Sequence, residues 1–135
     1  MTVPAYAKRP IQKITISRPG VAGALEVTQK EAMDLSNPWS GRFVDWSAPA
    51  SRPSEAMPVY EVTLHAQLND SALTPIYQFR YAPGADGGRG HVYLPGQGEP
   101  WYRRNVRIIL RHGHDGRWHA ATAAWDAQMK AALHR

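Results

Sequence analysis

Cysteine is absent from this chain of 135 residues. Its absence excludes disulfides, a thiolate nucleophile, iron–sulfur ligation and cysteine zinc sites, though it does not decide the compartment. No apolar run approaches the roughly 20 residues that a membrane-spanning helix needs, so no transmembrane segment is expected. Catalytic motifs are scarce as well. There is no G-x-S-x-G nucleophile elbow. Gly87-Gly88-Arg89-Gly90 lacks the strand–loop–helix setting and the Lys-Ser/Thr of a phosphate loop, and turn chemistry accounts for it better. No acid–base pair stands out. Glu61 and His65 share a strand face but lie too far apart to hydrogen-bond readily, and Glu99 falls in a turn beside Trp101, where it could at most help form a pocket rim.

What is present is ordinary globular material, 43% hydrophobic and 20% charged, which argues against a disordered tail. The length suits one domain, with residues 1–10 read as a flexible N-terminal segment and 11–135 as the globular part. Ala5-Tyr6-Ala7 has the small-x-small form of a signal-peptidase site. A charged n-region and an apolar h-region do not precede it, and the balance tips only slightly from cytoplasmic residence toward export, periplasmic or secreted. The formal net charge is +5, and twelve of the sixteen basic residues are arginine. Seven arginines fall between Arg80 and Arg117, against Asp86, Glu99 and Asp115. Such a balance attracts anions, but arginine stems also cover apolar strand surface, and that plainer role is preferred.

Periodicity predicts mainly strands. Ile11 to Ser17 alternates, with Ile14 and Ile16 inward, and Arg18-Pro19-Gly20 turns the chain toward a second strand over Ala24 to Val27. Thr28-Gln29-Lys30-Glu31 has the form of a capping box, predicting a short helix to about Leu35 that buries Ala32. Asn37 to Pro58 reads as a loop, yet it holds Trp39, Phe43, Val44 and Trp46, so it packs over a core or lines a pocket. Val59 to Leu68 is the clearest strand. Asn69-Asp70-Ser71 turns it into Ile76 to Tyr81, whose Tyr77, Phe79 and Tyr81 form an aromatic inner face. His91 to Leu94 is a short strand. Trp101 to His112 alternates like a long one, with Arg103, Asn105, Arg107 and Arg111 outward. Asp115-Gly116 reads as a two-residue hairpin loop, returning through Arg117 to Ala121. Thr122 can then cap a final helix with Trp125, Met129 and Leu133 on one stripe. The expected fold is α+β, mainly antiparallel: a curved sheet of six or seven strands in meander order, or a partial barrel, with one short internal helix and a C-terminal helix.

Three candidate sites follow. If Asp115-Gly116 closes a hairpin, His112 lies opposite His119, and His112, His114 and His119 share a face on which three imidazoles could hold zinc and activate water. The plainer reading is three histidines at a flexible hairpin tip, with Arg117 adding positive charge to the same face and no carboxylate supporting them beyond Asp115. The second site is the arginine strand, Arg103 and Arg107 above all, with Trp101 and Tyr102 at its start. Arginines at alternate positions can contact phosphates while aromatics stack bases. A solvated outer face produces the same alternation, so nucleic acid is disfavoured. The third is a pocket between the Trp39–Trp46 loop and the Trp101 turn.

Several segments in combination resemble a family of short bacterial proteins of no assigned function. They are Lys13-Ile14-Thr15-Ile16, Leu25-Glu26-Val27-Thr28, Asn37-Pro38-Trp39-Ser40-Gly41, Val44-Asp45-Trp46, Val59-Tyr60-Glu61-Val62, His91-Val92-Tyr93-Leu94-Pro95-Gly96, Trp101-Tyr102-Arg103-Arg104-Asn105-Val106, Gly116-Arg117-Trp118-His119-Ala120 and Ala124-Trp125-Asp126. The resemblance runs from about Ile14 to Asp126. It implies a bacterial origin, with export signals on some members, and assigns no residue a role. His119 fits the family pattern and the His112-Gly113-His114 pair does not. The function expected is a non-enzymatic domain that binds a small ligand or a protein, without a cofactor, through Trp39, Trp46, Trp101, Tyr102, Arg103 and Arg107. The alternatives are a metal-assisted hydrolase using the three histidines with zinc, and nucleic-acid binding through the arginines.

Overall fold

The computed structural model describes residues 10–54, 56–67, 72–85 and 88–134. Residues 1–9 with their Ala5-Tyr6-Ala7 motif, Leu68, the Asn69-Asp70-Ser71 turn and Gly87 lie outside that range. The elements run in the order β1 (Lys13–Ser17), β2 (Leu25–Val27), α1 (Lys30–Leu35), β3 (Tyr60–Gln67), β4 (Leu73–Ala82), β5 (His91–Leu94), α2 (Tyr102–Ile108), β6 (Arg117–Ala120) and α3 (Ala123–Leu133). The six strands form one antiparallel sheet in the order β2-β1-β3-β4-β5-β6. The sheet stays open, so the partial barrel does not form, and β1 rather than β2 lies beside β3.

Alternation decides the two faces. Ile14, Ile16, Val62, Leu64, Ala66, Tyr77, Phe79, Tyr81, Val92 and Leu94 are all buried. They pack against Phe43 and Val44 of the tryptophan loop and against Trp125, Met129 and Ala132 of α3. Phe43 stacks on Phe79 at 4.5 Å, while Trp125 meets Phe79 at 5.6 Å and stands edge-on to Tyr81 at 4.9 Å. The opposite face is polar. There Thr15 meets His65 across 3.1 Å, and the Gln78 amide donates to the Thr63 hydroxyl at 2.9 Å. The register slips between Leu64 and His65, where His65 faces Pro75. Proline has no N–H to give the ladder, so a bulge is the usual solution there.

The longest expected strand is a correction. Trp101 to His112 is not extended: residues 102–108 form α2, entered through Trp101, whose φ of +75° is left-handed. Val106, Ile108 and Leu110 fit a period of two, but Tyr102, Asn105, Val106 and Ile109 fit a helix equally well, and short apolar runs do not separate the two by pattern alone. Asn105, expected to face solvent, is buried. Its carboxamide accepts from the Gln78 N–H at 3.0 Å and donates to the Gln78 carbonyl at 2.7 Å. β5 reaches only as far as Arg80 along β4, so Asn105 supplies at Gln78 the pairing that a longer β5 would have given. Asn105→Ala should therefore cost about 2–3 kcal/mol, since it orphans a backbone donor and an acceptor. Asn105→Asp should cost a similar amount, because its carboxylate replaces the donor facing the Gln78 carbonyl. A urea midpoint lowered at unchanged slope is the expected reading, and wild-type midpoints in both variants would show that the bonds do not matter.

Neither expected cap forms through its side chain. The N-cap of α1 is Gln29, which leaves Thr28 one residue too early. Thr122 does sit at the N-cap of α3, but its hydroxyl donates to the Arg42 carbonyl and ties the loop down instead.

Candidate functional site

The tryptophan loop is built around Arg111. Asn37 Oδ1 accepts from the Trp39 and Ser40 amides at 2.8 and 3.3 Å, turning the chain after the short helix. Arg111 reaches back to donate to the carbonyls of Pro38 and Trp39, and its guanidinium lies 5.2 Å from the Trp46 ring centre. The chain passes this crowded point at Gly41, where φ is +63° and an added Cβ would come within 2.9 Å of the guanidinium. Trp39 packs against the core. Trp46, 37% exposed, gives its N–H to the Gly41 carbonyl. Arg111 therefore belongs to the loop's scaffold, not to an outward row of arginines.

Past Trp46 the chain runs along the edge of β6. The Asp45 amide donates to the Ala120 carbonyl, Val44 bridges Ala121, and the Ser51 amide donates to the Trp118 carbonyl. An edge strand is thus covered by backbone instead of being left to pair with another chain.

The three histidines do not meet across a hairpin. β6 pairs with β5, placing His119 opposite Val92, and because α2 replaces the expected strand, no ladder sets His112 across from His119. His119 is buried, and its Nε2–H donates to the His114 carbonyl at 2.9 Å, so that nitrogen is not free to ligate. Trp46 stands edge-on to the His114 ring at 4.9 Å and lies 5.7 Å from that of His119, while His112 is exposed. Among the described residues no group of three His, Asp or Glu side chains is placed to hold a metal ion.

Burial pulls the His119 imidazole below the ordinary histidine range. The bond to the His114 carbonyl opposes that pull, the His114 and Arg117 charges add to it, and Asp115 opposes it. Burial is also the leading cause of depression at His65 and His91. Below about pH 6.5 the unfolded chain takes up protons that these folded imidazoles refuse, so stability should be complete above that pH and fall as the pH drops through the depressed folded values. Urea midpoints at pH 7.5, 6.5 and 5.5 should decline in that order. A flat profile would show that the imidazoles titrate alike in both states.

The remaining expected site residues come together only in part: Trp101, Tyr102 and Arg103 share one hollow, and Trp46 lines another. Trp46 lines a hollow of about 210 Å³ with Ala48, Pro49, His114 and Arg117. Trp101 and Tyr102 line a different one, formed by residues 97–104. Arg103, Arg104 and Arg107 are exposed on α2. Arg104 covers the Trp101 ring at 4.4 Å, so that indole already carries a guanidinium.

A cleft of about 510 Å³ elsewhere was not anticipated from the sequence. Its floor is the polar face of the sheet, where the register places Arg80 opposite Tyr93 and Tyr93 opposite Trp118. Its wall is the edge-covering loop at Ala50, Ser51 and Arg52, and its end is Gly116-Arg117. Arg52, Arg80 and Arg117 are exposed and form no ion pair among the described residues. The Arg80 guanidinium lies 5.6 Å from the Tyr93 ring centre, and the Tyr93 and Trp118 rings meet at 5.3 Å. The Tyr93 hydroxyl donates to the Glu99 carboxylate, which also accepts from the Gly96 amide. Burial first, then that carboxylate, push the phenol up to about 12 against the opposing pull of Arg80 and Arg52. Tyr93 is thus a fixed, neutral spacer beside two guanidiniums. Ser51 Oγ lies 3.1 Å from His91 Nε2, but no carboxylate among the described residues hydrogen-bonds the other ring nitrogen, as the base of an activated serine would need.

The fold and cleft define an open-sheet α+β domain with a cationic, aromatic-floored groove on its solvent face. No protein-family model, curated protein or solved structure matches the chain.

Proposed function

We propose that this protein is a non-enzymatic binding domain for a small anionic ligand, and that the ligand lies in the cleft of Arg52, Arg80 and Arg117. The observation that carries this reading is that Arg52, Arg80 and Arg117 line one groove and form no ion pair among the described residues. Converging like charges repel one another, and an anion held by charge-assisted hydrogen bonds relieves that repulsion. Among the described residues the cleft lining holds no carboxylate and no imidazole, which favours binding over proton transfer near neutral pH. We further propose that the chain belongs with the short bacterial proteins it resembles, a grouping that assigns no residue a role.

Calorimetric titration with inorganic pyrophosphate at low salt tests the site. Saturable binding that weakens with added salt is expected. Arg80→Ala and Arg117→Ala should each weaken it about tenfold or more, while Arg103→Ala on α2 should leave it unchanged. Absence of binding at low salt, or equal losses from all three variants, would overturn the reading.

A further inference from the structure

We infer that the anion carries a planar ring, and that the ligand class of this cleft is a nucleoside di- or triphosphate. This rests on the reading of the cleft as an anion site. Trp118 is the residue that points to the ring. Alternation on β6 puts it on the solvent face of the sheet, where its neighbours along the register are Tyr93 and Arg80. A half-buried indole on a polar face is a large apolar surface left at the border of water.

Three other aromatic rings, its neighbour Tyr93 among them, are already covered. Arg80 lies over Tyr93, Arg104 over Trp101 and Arg111 over Trp46. No guanidinium covers Trp118 among the described residues, although Arg117 precedes it and Arg52 lines the same cleft. One indole without a covering guanidinium therefore lines the same cleft as Arg52, Arg80 and Arg117, which form no ion pair among the described residues. Stacking a base on an aromatic ring is sequence-tolerant and strong, and planar guanidinium forks suit phosphate oxygens.

Size and charge narrow the class. About 510 Å³ falls within the range of small-molecule sites and exceeds what inorganic phosphate alone would fill. Three guanidiniums match a di- or triphosphate better than a single carboxylate. With Trp118 as the one ring of the cleft that no guanidinium covers among the described residues, the groove offers one stacking platform, which suits a mononucleotide and not a strand of bases. Ser51, held beside His91 at the cleft wall, adds a hydroxyl within the same lining.

The experiment compares ADP, inorganic pyrophosphate, adenosine and a ten-residue oligoadenylate on the intact chain by calorimetry. ADP should bind about tenfold or more tighter than pyrophosphate, with the gain supplied by stacking. Trp118→Ala should bring the ratio of ADP to pyrophosphate affinity down to about one, and Trp118→Phe should keep most of the gain, which distinguishes lost stacking from lost folding. Equal affinities for ADP and pyrophosphate would overturn the ring while sparing the anion site. No binding of either would overturn both. Oligoadenylate binding more tightly than ADP and tightening further with length would replace the mononucleotide with a single strand.

Discussion

Trp125→Ala should destabilise the fold by about 3–5 kcal/mol, a large part of the roughly 5–15 kcal/mol that holds a typical domain together. The indole is fully buried, meets Phe79, Phe43 and Tyr81, and gives its N–H to the Ser36 hydroxyl at 2.9 Å. Ser36 in turn donates to the Ala32 carbonyl, so one side chain joins α3, the end of α1 and the aromatic face of the sheet. Truncation opens a cavity between layers that cannot close without moving α3. Trp125→Phe retains much of the ring volume and loses the bond to Ser36, so it should cost less. Urea unfolding of both variants against wild type is the measurement. A loss below about 1 kcal/mol for the alanine variant, far under the usual cost of such a cavity, would mean that α3 is not seated as described.

The second large effect lies one residue further along α3. Asp126 is 5% exposed. It accepts from the Tyr81 hydroxyl through Oδ1 and from the Gly90 amide at 2.9 Å through Oδ2, which also lies 3.0 Å from Lys130 Nζ. Burial and this carboxylate hold the Tyr81 phenol protonated far above the usual tyrosine range. Asp126→Ala leaves a buried phenol and a buried amide without their acceptor and should cost about 3–5 kcal/mol. Gly90→Ala attacks the same junction sterically, because a Cβ there would lie 2.3 Å from Asp126 Oδ1 and 2.7 Å from Tyr81 Cε1, both in packed interior. Tyr81→Phe combined with Asp126→Ala should cost clearly less than the sum of the two single changes, since both remove one bond. Strict additivity would show that the phenol and the carboxylate act independently.

How much of this was legible depends on whether the signal was local. The strand over residues 60–67 and the inward Tyr77, Phe79 and Tyr81 follow from alternation, and the alternation holds in the structure. The stripe of Trp125, Met129 and Leu133 is likewise local, and it packs on the core as expected. The segment from Trp101 to His112 failed because its apolar residues satisfy both periods. What chose the helix was nonlocal: β4 extends beyond β5 and needs a partner at Gln78, which Asn105 supplies from α2. The expected pairing of His112 with His119 went with it, because it presumed a hairpin between that segment and β6.

The amino-acid sequence by itself determined the class of the fold. The spacing of apolar residues sets which side of each strand is buried, and turn residues between strands make the pairing antiparallel. It also determined that the chain carries an arginine excess and no cysteine chemistry. Only the tertiary structure decided where the positive charge gathers. Arg52, Arg80, Tyr93, Arg117 and Trp118 are scattered over 67 positions, and nothing local marks them as a group. They meet because β5 pairs with β4 on one side and β6 on the other, while the tryptophan loop, held by Arg111, lies along the edge of β6. Strand register and loop docking arise from packing between distant segments, and that is the physical reason the cleft could not be read from the order of residues alone.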